Sequence, residues 1–238
     1  LRVDTLIDSV EAQLARSDGR AQICRTAAEA RRIIDEGRTA IFLGIENGVA
    51  LEHDLANLDH FYRRGIRYLT LTHTASSNWC ISSADTAPAF DGLTDFGHHV
   101  VRRMNELGMI IDISHAHPLA VKAALETSRD PVIASHSCAR SLCDHDRNLT
   151  DEEIRAVARN GGMIGINFYK HYLSQAYKDL SDSLWNQRET YTDSLATVYE
   201  NDYSAYKAAL KPLREAINVE LDKIPVDVGT VVDHIDHI

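Results

Sequence analysis

Residues 107–140 read LGMIIDISHAHPLAVKAALETSRDPVIASHSCAR and contain two short apolar runs that each end on a histidine. The runs cover residues 110–115 and 132–136, and apolar residues at helical spacing lie between them. Short apolar strands that alternate with helices are typical of βα units around a parallel sheet. In such folds the carboxyl ends of the strands lie at one edge of the sheet, so we expect the two histidines to lie near each other.

The same alternation extends over most of the chain and predicts six strands. They cover residues 21–25, 39–46, 67–73, 109–115, 131–136 and 162–168. This alternation predicts the α/β class. Because single helices join the parallel strands, a (β/α)8 TIM-type barrel is favoured over an open doubly wound sheet. No GxGxxG turn follows a strand, which argues against a dinucleotide-binding fold. We expect one barrel domain over residues 1–238, with a polar, helical insertion at about residues 169–226.

Glycines and threonines mark the expected ends of the helices. Gly65, Gly108 and Gly161 each follow an apolar pattern of helical spacing and can adopt the left-handed conformation that ends a helix. Thr94 and Thr150 precede two of these patterns and are suited to cap the first turn of a helix.

Composition excludes several classes of function. The chain has 35 Asp and Glu residues against 25 Lys and Arg residues, and it has no basic stripe, so we expect no nucleic-acid partner. No apolar run approaches the roughly 18 residues of a membrane-spanning helix. The four cysteines form no CxxC pair, and we expect them to be reduced thiols.

Four of the predicted strands end in a residue that can bind a metal ion or transfer a proton. These residues are Glu46, His73, His115 and His136. One strand-end histidine is more often a core residue than a ligand, but four such side chains at the mouth of one barrel favour a zinc site. Asp112 points to the opposite face of its strand from His115, which makes it a poor direct ligand, although it could orient a neighbouring group.

Several segments together resemble the renal (membrane) dipeptidase family, which are zinc-dependent peptidases of the amidohydrolase-like barrels. The segments are GIENG, RYLTLTH, GLTDFG, VVRRMNELGMIIDISH, PVIASHSCAR and RNLTDEEI. Their separations agree with the family pattern: 27 positions from Glu46 to His73, 21 from His115 to His136, and 11 from His136 to Arg147.

This resemblance implies a role for each residue. Glu46 matches the carboxylate that bridges two zinc ions, and His115 and His136 match the pair that binds the second ion. His73 matches the histidine that contacts the substrate carbonyl oxygen, and Arg147 matches the arginine that holds the terminal carboxylate. The resemblance therefore implies two Zn²⁺ ions per active site and a small peptide substrate with a free C-terminal carboxylate. It also implies tolerance of a D-residue at the C-terminal position, and a homodimer.

Three hypotheses follow from these observations. The first is a zinc-dependent dipeptidase, the second is a related barrel amidohydrolase acting on another amide or cyclic ureide, and the third is a zinc-binding homologue without catalysis. The second hypothesis does not need Arg147. At the level of single residues, His73 could instead pack beneath the loop of residues 75–88. Arg147 could instead be an exposed charge that caps the helix starting near Thr150, or one that pairs with Asp144 or Asp146 at the surface.

Two parts of the family pattern have no counterpart in residues 1–238. They are a His-x-Asp pair at the end of the first strand, which holds the first zinc ion, and an aspartate at the end of the last strand. The six predicted strands would then be the second to the seventh of the barrel. Because two long unpaired sheet edges are unfavourable, we expect these residues to be part of a longer protein.

Overall fold

The structure is a computed structural model that describes residues 2–238. Within these residues, helices and strands alternate through the first two thirds of the chain, and helices alone follow. In chain order they are α1 (Arg2–Ala15), β1 (Ala21–Ile23), α2 (Ala27–Asp35), β2 (Thr39–Ile41), β3 (Leu43–Glu46), a short 3₁₀ helix (Gly48–Leu51), α3 (Leu55–Arg64), β4 (Ile66–Thr70), α4 (Asp95–Leu107), β5 (Ile110–Asp112), α5 (Pro118–Thr127), β6 (Ile133–Ser137), α6 (Asp151–Asn160), β7 (Met163–Ile166), α7 (Lys170–Leu173), α8 (Gln175–Asn186), α9 (Glu189–Val198), α10 (Tyr203–Leu221) and α11 (Val228–His237).

The strands form two sheets. β1 and β2 make a parallel pair, and the other five strands form one sheet in the order β3-β4-β5-β6-β7. The ladders from β3 to β6 are parallel, which confirms the α/β class with a parallel sheet. Among the described residues the five-stranded sheet does not close on itself. The (β/α)8 barrel therefore stays a prediction.

The prediction of one continuous strand over residues 39–46 is wrong. Thr39–Ile41 pairs with β1, whereas Leu43–Glu46 pairs with β4 in the other sheet. Phe42 lies between the two strands and is 43% exposed. The apolar run is continuous in sequence, so its pattern did not reveal that the neighbouring strand changes in the middle.

Two strands end three residues earlier than predicted. β4 ends at Thr70 and not at His73. β5 ends at Asp112 and not at His115. The chain leaves the β5 ladder because the carboxylate of Asp112 accepts the N–H of Ser114 at 3.0 Å, and His115 adopts a φ of +69°. A left-handed residue cannot continue a strand.

The predicted helix ends are confirmed at three glycines and one threonine. Gly65, Gly108 and Gly161 follow α3, α4 and α6 with φ values of +108°, +69° and +77°. The hydroxyl of Thr94 accepts the N–H of Gly97 at 3.4 Å and caps α4.

The chain divides into two compact units. The first comprises the residues up to Ser137 together with Glu152–Gly165, and it contains nearly all of the strands. In its core, Leu69 of β4 and Ile111 of β5 are buried, as is Phe61 of α3. Each buried side chain of this size contributes roughly 1.5–3 kcal/mol. The sheet is therefore a stable support for the residues at its carboxyl edge.

The second unit comprises Cys138–Asp151 and Ile166–Ile238 and contains α7 to α11. His234 of α11 is 1% exposed and has both ring nitrogens hydrogen-bonded to backbone. Its Nδ1 accepts the N–H of Ala139 at 3.0 Å, and its Nε2 donates to the carbonyl of Leu173 at 3.0 Å. This arrangement requires a neutral imidazole and gives His234 a structural role.

Two expectations from composition concern membrane segments and cysteines. No helix in the part of the chain that the structure describes has the length and hydropathy needed to cross a bilayer. All four cysteines are buried and carry free thiols, in agreement with the prediction.

Candidate metal centre

Glu46, His115 and His136 bring their donor atoms together within the first unit, and we call these three residues the metal triad. The Nε2 of His115 lies 3.1 Å from the Oε1 of Glu46 and 2.9 Å from the Nε2 of His136. The third side of the triangle, from His136 Nε2 to Glu46 Oε1, is 3.3 Å. A tetrahedral zinc ion with bonds of 2.0–2.1 Å holds its ligands roughly 3.3 Å apart. The donor atoms are therefore spaced as the ligands of one metal ion are.

The donor types of the metal triad also fit a divalent metal. Two imidazole Nε2 atoms at 2.9 Å can form a hydrogen bond only if one of them carries a proton. A metal ion between them would use the lone pairs of both nitrogens and the charge of the carboxylate. Imidazole nitrogens and carboxylate oxygens are the ligands that zinc takes in catalytic sites.

His73 lies beside the metal triad. Its Nε2 is 3.6 Å from the Oε1 of Glu46, and its ring centroid is 4.2 Å from that of His115. The side chain of His73 is 39% exposed, so packing beneath the loop of residues 75–88 does not describe it. The structure thus brings together all four of the strand-end residues named from the sequence.

Gly48, two positions after Glu46, allows the tight turn at the end of the GIENG segment. Asn47 has a φ of +100°, and its side chain accepts the N–H of Val49 at 3.1 Å, which turns the chain away from β3. A Cβ atom on Gly48 would lie 2.2 Å from the ring of Trp79 and 2.5 Å from the carbonyl oxygen of Leu71. Only glycine fits at this position, and the tight turn keeps Glu46 at the sheet edge.

Two serines anchor the backbone next to two of the histidines. The hydroxyl of Ser82 donates to the carbonyl of His73 at 2.5 Å. The N–H of Ser83 donates to the carbonyl of His115 at 2.8 Å. One loop therefore positions both histidines after their strands have ended. The sequence did not reveal these serines as part of the site. They contact backbone carbonyls, which every residue has, so the residue types on either side give no signal.

Asp112 is buried and connects three strands. Its Oδ1 accepts the backbone N–H groups of Ser114 and Ser135 at 3.0 Å and 2.9 Å. Its Oδ2 accepts the hydroxyls of Thr70 and Ser135, both at 2.6 Å. Asp112 does not belong to the metal triad, as the strand alternation predicted.

The surroundings of the metal triad favour a cation. Tyr68 of β4 has a raised pKa, first because it is partly buried and then because of the negative charges of Asp112 and Glu46. The same negative charges that hinder the ionisation of a phenol stabilise a positive ion. The electrostatic field at this sheet edge therefore agrees with the donor set.

Arg147 lies in the second unit. It is 7% exposed, and its guanidinium carbon is 5.7 Å from the ring centroid of Tyr172. Asp144 and Asp146 form ion pairs with Arg140 at 2.8 Å and 2.9 Å. The alternative of Arg147 as an exposed surface charge is wrong, because the residue is buried. Its role in substrate binding stays a prediction.

Fold and donor set together describe an α/β protein with a candidate metal site on a parallel sheet. The chain belongs to the membrane dipeptidase family, peptidase family M19, whose sequence model matches residues 3–238. Dipeptidase 3 from Rattus norvegicus is 46% identical to it over 131 residues, and Dipeptidase 3 from Homo sapiens is 41% identical over the same length. In both cases the match covers 53% of this chain and only 27% of the relative.

Solved structures of two bacterial proteins have the same fold. The probable dipeptidase PvdM from Pseudomonas aeruginosa superimposes with a TM-score of 0.81 at 28% identity, over 97% of this chain and 62% of that protein. A metallo peptidase from Rhodobacter sphaeroides, bound to a phosphinate mimic of the dipeptide L-Ala-D-Ala, gives a TM-score of 0.65 at 27% identity. That match covers 71% of this chain and 49% of the other. These comparisons confirm the resemblance that the motifs indicated.

Proposed function

We propose that the protein is a zinc-dependent dipeptidase that hydrolyses the peptide bond of dipeptides with a free C-terminal carboxylate. The observation that carries this proposal is the convergence of Glu46, His115 and His136 within hydrogen-bonding distance of one another. Family membership supports the reaction class. The dipeptide mimic bound by the Rhodobacter sphaeroides relative supports a small peptide substrate, including one with a C-terminal D-residue.

Two zinc ions would be held by the metal triad and by further ligands. In this proposal the carboxylate of Glu46 would be a ligand of both ions, and His115 and His136 would be ligands of one of them. Bound zinc supplies Lewis acidity, which polarises a carbonyl group and lowers the pKa of water.

The other two residues act on the substrate. His73 is partly exposed beside Glu46, so its imidazole is available to donate a hydrogen bond to the carbonyl oxygen as negative charge develops there. Arg147 carries a guanidinium that can donate two parallel hydrogen bonds to the C-terminal carboxylate.

Hydrolysis assays on the purified native gene product test the proposal. The substrates are L-Ala-D-Ala, L-Ala-L-Ala and the corresponding dipeptide amides, measured before and after treatment with a chelator and after zinc is restored. We expect hydrolysis of the free dipeptides, slower hydrolysis of the amides, and loss of activity on chelation that zinc reverses. Sedimentation velocity on the same sample tests the homodimer.

Two other results would overturn the proposal. Hydrolysis of a cyclic ureide without hydrolysis of dipeptides would indicate an amidohydrolase of another specificity. Stoichiometric zinc without hydrolysis of any of these substrates would indicate a zinc-binding homologue without catalysis.

A further inference from the structure

The hydroxyl of Ser135 connects the buried Asp112 to the metal triad. Its Oγ lies 2.6 Å from the Oδ2 of Asp112 and 2.7 Å from the Nδ1 of His136. A third neighbour, the hydroxyl oxygen of Ser114, is farther away at 3.4 Å. The two short contacts form a continuous path from the carboxylate to the imidazole.

The chemistry of the three groups sets the direction of the two hydrogen bonds. An ionised carboxylate can only accept, so the single hydroxyl proton of Ser135 lies on the bond to Asp112. The Oγ then has only lone pairs left for the imidazole, and His136 must donate through Nδ1. A neutral imidazole with its proton on Nδ1 has a lone pair on Nε2. This Nε2 is the atom that faces Glu46 and His115 in the metal triad.

We propose that Asp112, acting through Ser135, holds the proton of His136 on Nδ1 and so keeps Nε2 unprotonated for a metal ion. Asp112 is a positioning residue, since it acts on the site only through another side chain. The inference rests on the proposed zinc function of the metal triad. Groups that orient a metal-binding histidine in this way typically account for about 10- to 100-fold in metal affinity.

The substitution Asp112→Asn tests the direction of the bonds. The Oδ1 of Asp112 accepts two backbone N–H groups, so the carbonyl oxygen of the asparagine should take this place. The amide nitrogen then replaces Oδ2 and faces the hydroxyls of Thr70 and Ser135. The Oγ of Ser135 would accept from this amide and donate its own proton to His136. The imidazole proton would move to Nε2, where it opposes metal binding.

Two measurements on the metal-free protein and its variants read out this change without an activity assay. Nitrogen-15 NMR of the histidine side chains should show the His136 proton on Nδ1 in the wild type and on Nε2 in Asp112→Asn. Competition with a chromophoric chelator should show zinc affinity about 10- to 100-fold lower in the variant.

A matched control separates the path through Ser135 from a general loss of packing. Thr70→Val removes the other hydroxyl from the same Oδ2 and leaves His136 untouched. It should lower the stability and leave the zinc affinity and the His136 tautomer unchanged. If Asp112→Asn fails to fold, Ser135→Ala replaces it as the test variant. In Ser135→Ala, Asp112 still accepts both backbone N–H groups, so the local fold should be retained. That variant should also bind zinc about 10-fold more weakly.

The possible outcomes are distinct. If the wild type binds no zinc, the proposed function fails. If the wild type binds zinc, but Asp112→Asn and Ser135→Ala bind it as tightly and His136 keeps its proton on Nδ1, the positioning role of Asp112 is refuted and the zinc site remains.

Discussion

Replacing Glu46 with glutamine should remove metal and peptidase activity together. Glu46 supplies the only anionic donor of the metal triad, and its Oε1 is 3.1 Å and 3.3 Å from two histidine nitrogens. A structural zinc site with four ligands contributes about 10–16 kcal/mol, so one ligand accounts for about 2.5–4 kcal/mol. The zinc affinity of Glu46→Gln should therefore fall by about 70- to 900-fold.

The same substitution should barely change the stability of the metal-free protein. The side chain of Glu46 is 49% exposed, and a surface substitution of similar size changes the free energy of unfolding by only about 0.5 kcal/mol. A glutamate that merely ended a strand would give the opposite result, with lower stability and unchanged metal content.

Elemental analysis of the desalted protein, chelator competition and urea unfolding of the metal-free form together distinguish these two cases. Glu52→Gln is the matched control, since it removes an exposed carboxylate six positions further along the chain. We expect the control to keep both zinc ions and full activity. Two zinc ions per chain retained in Glu46→Gln would refute the reasoning.

Four further predictions concern the second unit. Arg147→Ala should lower kcat/KM for a free dipeptide by about tenfold to a hundredfold, since charge-assisted hydrogen bonds contribute about 1.5–3 kcal/mol. An equal loss of kcat/KM for the dipeptide amide would show that Arg147 does not bind the carboxylate. His234→Phe should lower the free energy of unfolding by about 2–4 kcal/mol, because two buried backbone groups lose their hydrogen bonds. A urea unfolding curve identical to that of the wild type would contradict this loss of stability. Cys138 and Cys143 should react with a thiol reagent only in denaturant, because burial raises the pKa of each to about 11; rapid labelling of the folded protein would show that they are accessible. Burial lowers the pKa of His145 to about 4, so the unfolded chain binds a proton there between about pH 6.5 and 4 while the folded protein does not. Stability should therefore fall as pH decreases through this range, and urea unfolding of His145→Gln should show a smaller fall.

The sequence was sufficient to predict the parts of the site that depend on the order of residues along each strand. Glu46, His73, His115 and His136 each lie within three residues of the end of a strand, and the parallel sheet brings these ends together. The class of fold and the glycine-terminated helices followed from the same periodicity.

Other parts of the site depend on contacts between distant residues. The Ser135 hydroxyl meets Asp112 across 23 positions, and Thr70 meets it across 42. Such hydrogen bonds depend on strand register, and a single sequence does not show the register. The division of residues 39–46 between two sheets was missed for the same reason.

His115 has a left-handed backbone, and selection for stability and selection for activity therefore favour different residues at this position. A non-glycine residue in this conformation costs on the order of 1–3 kcal/mol, although histidine tolerates it better than most residue types. Selection for folding alone would favour glycine or asparagine at position 115. Selection for metal binding requires an imidazole there. A histidine that persists at this position in the evolution of the family would record selection for activity at the expense of stability.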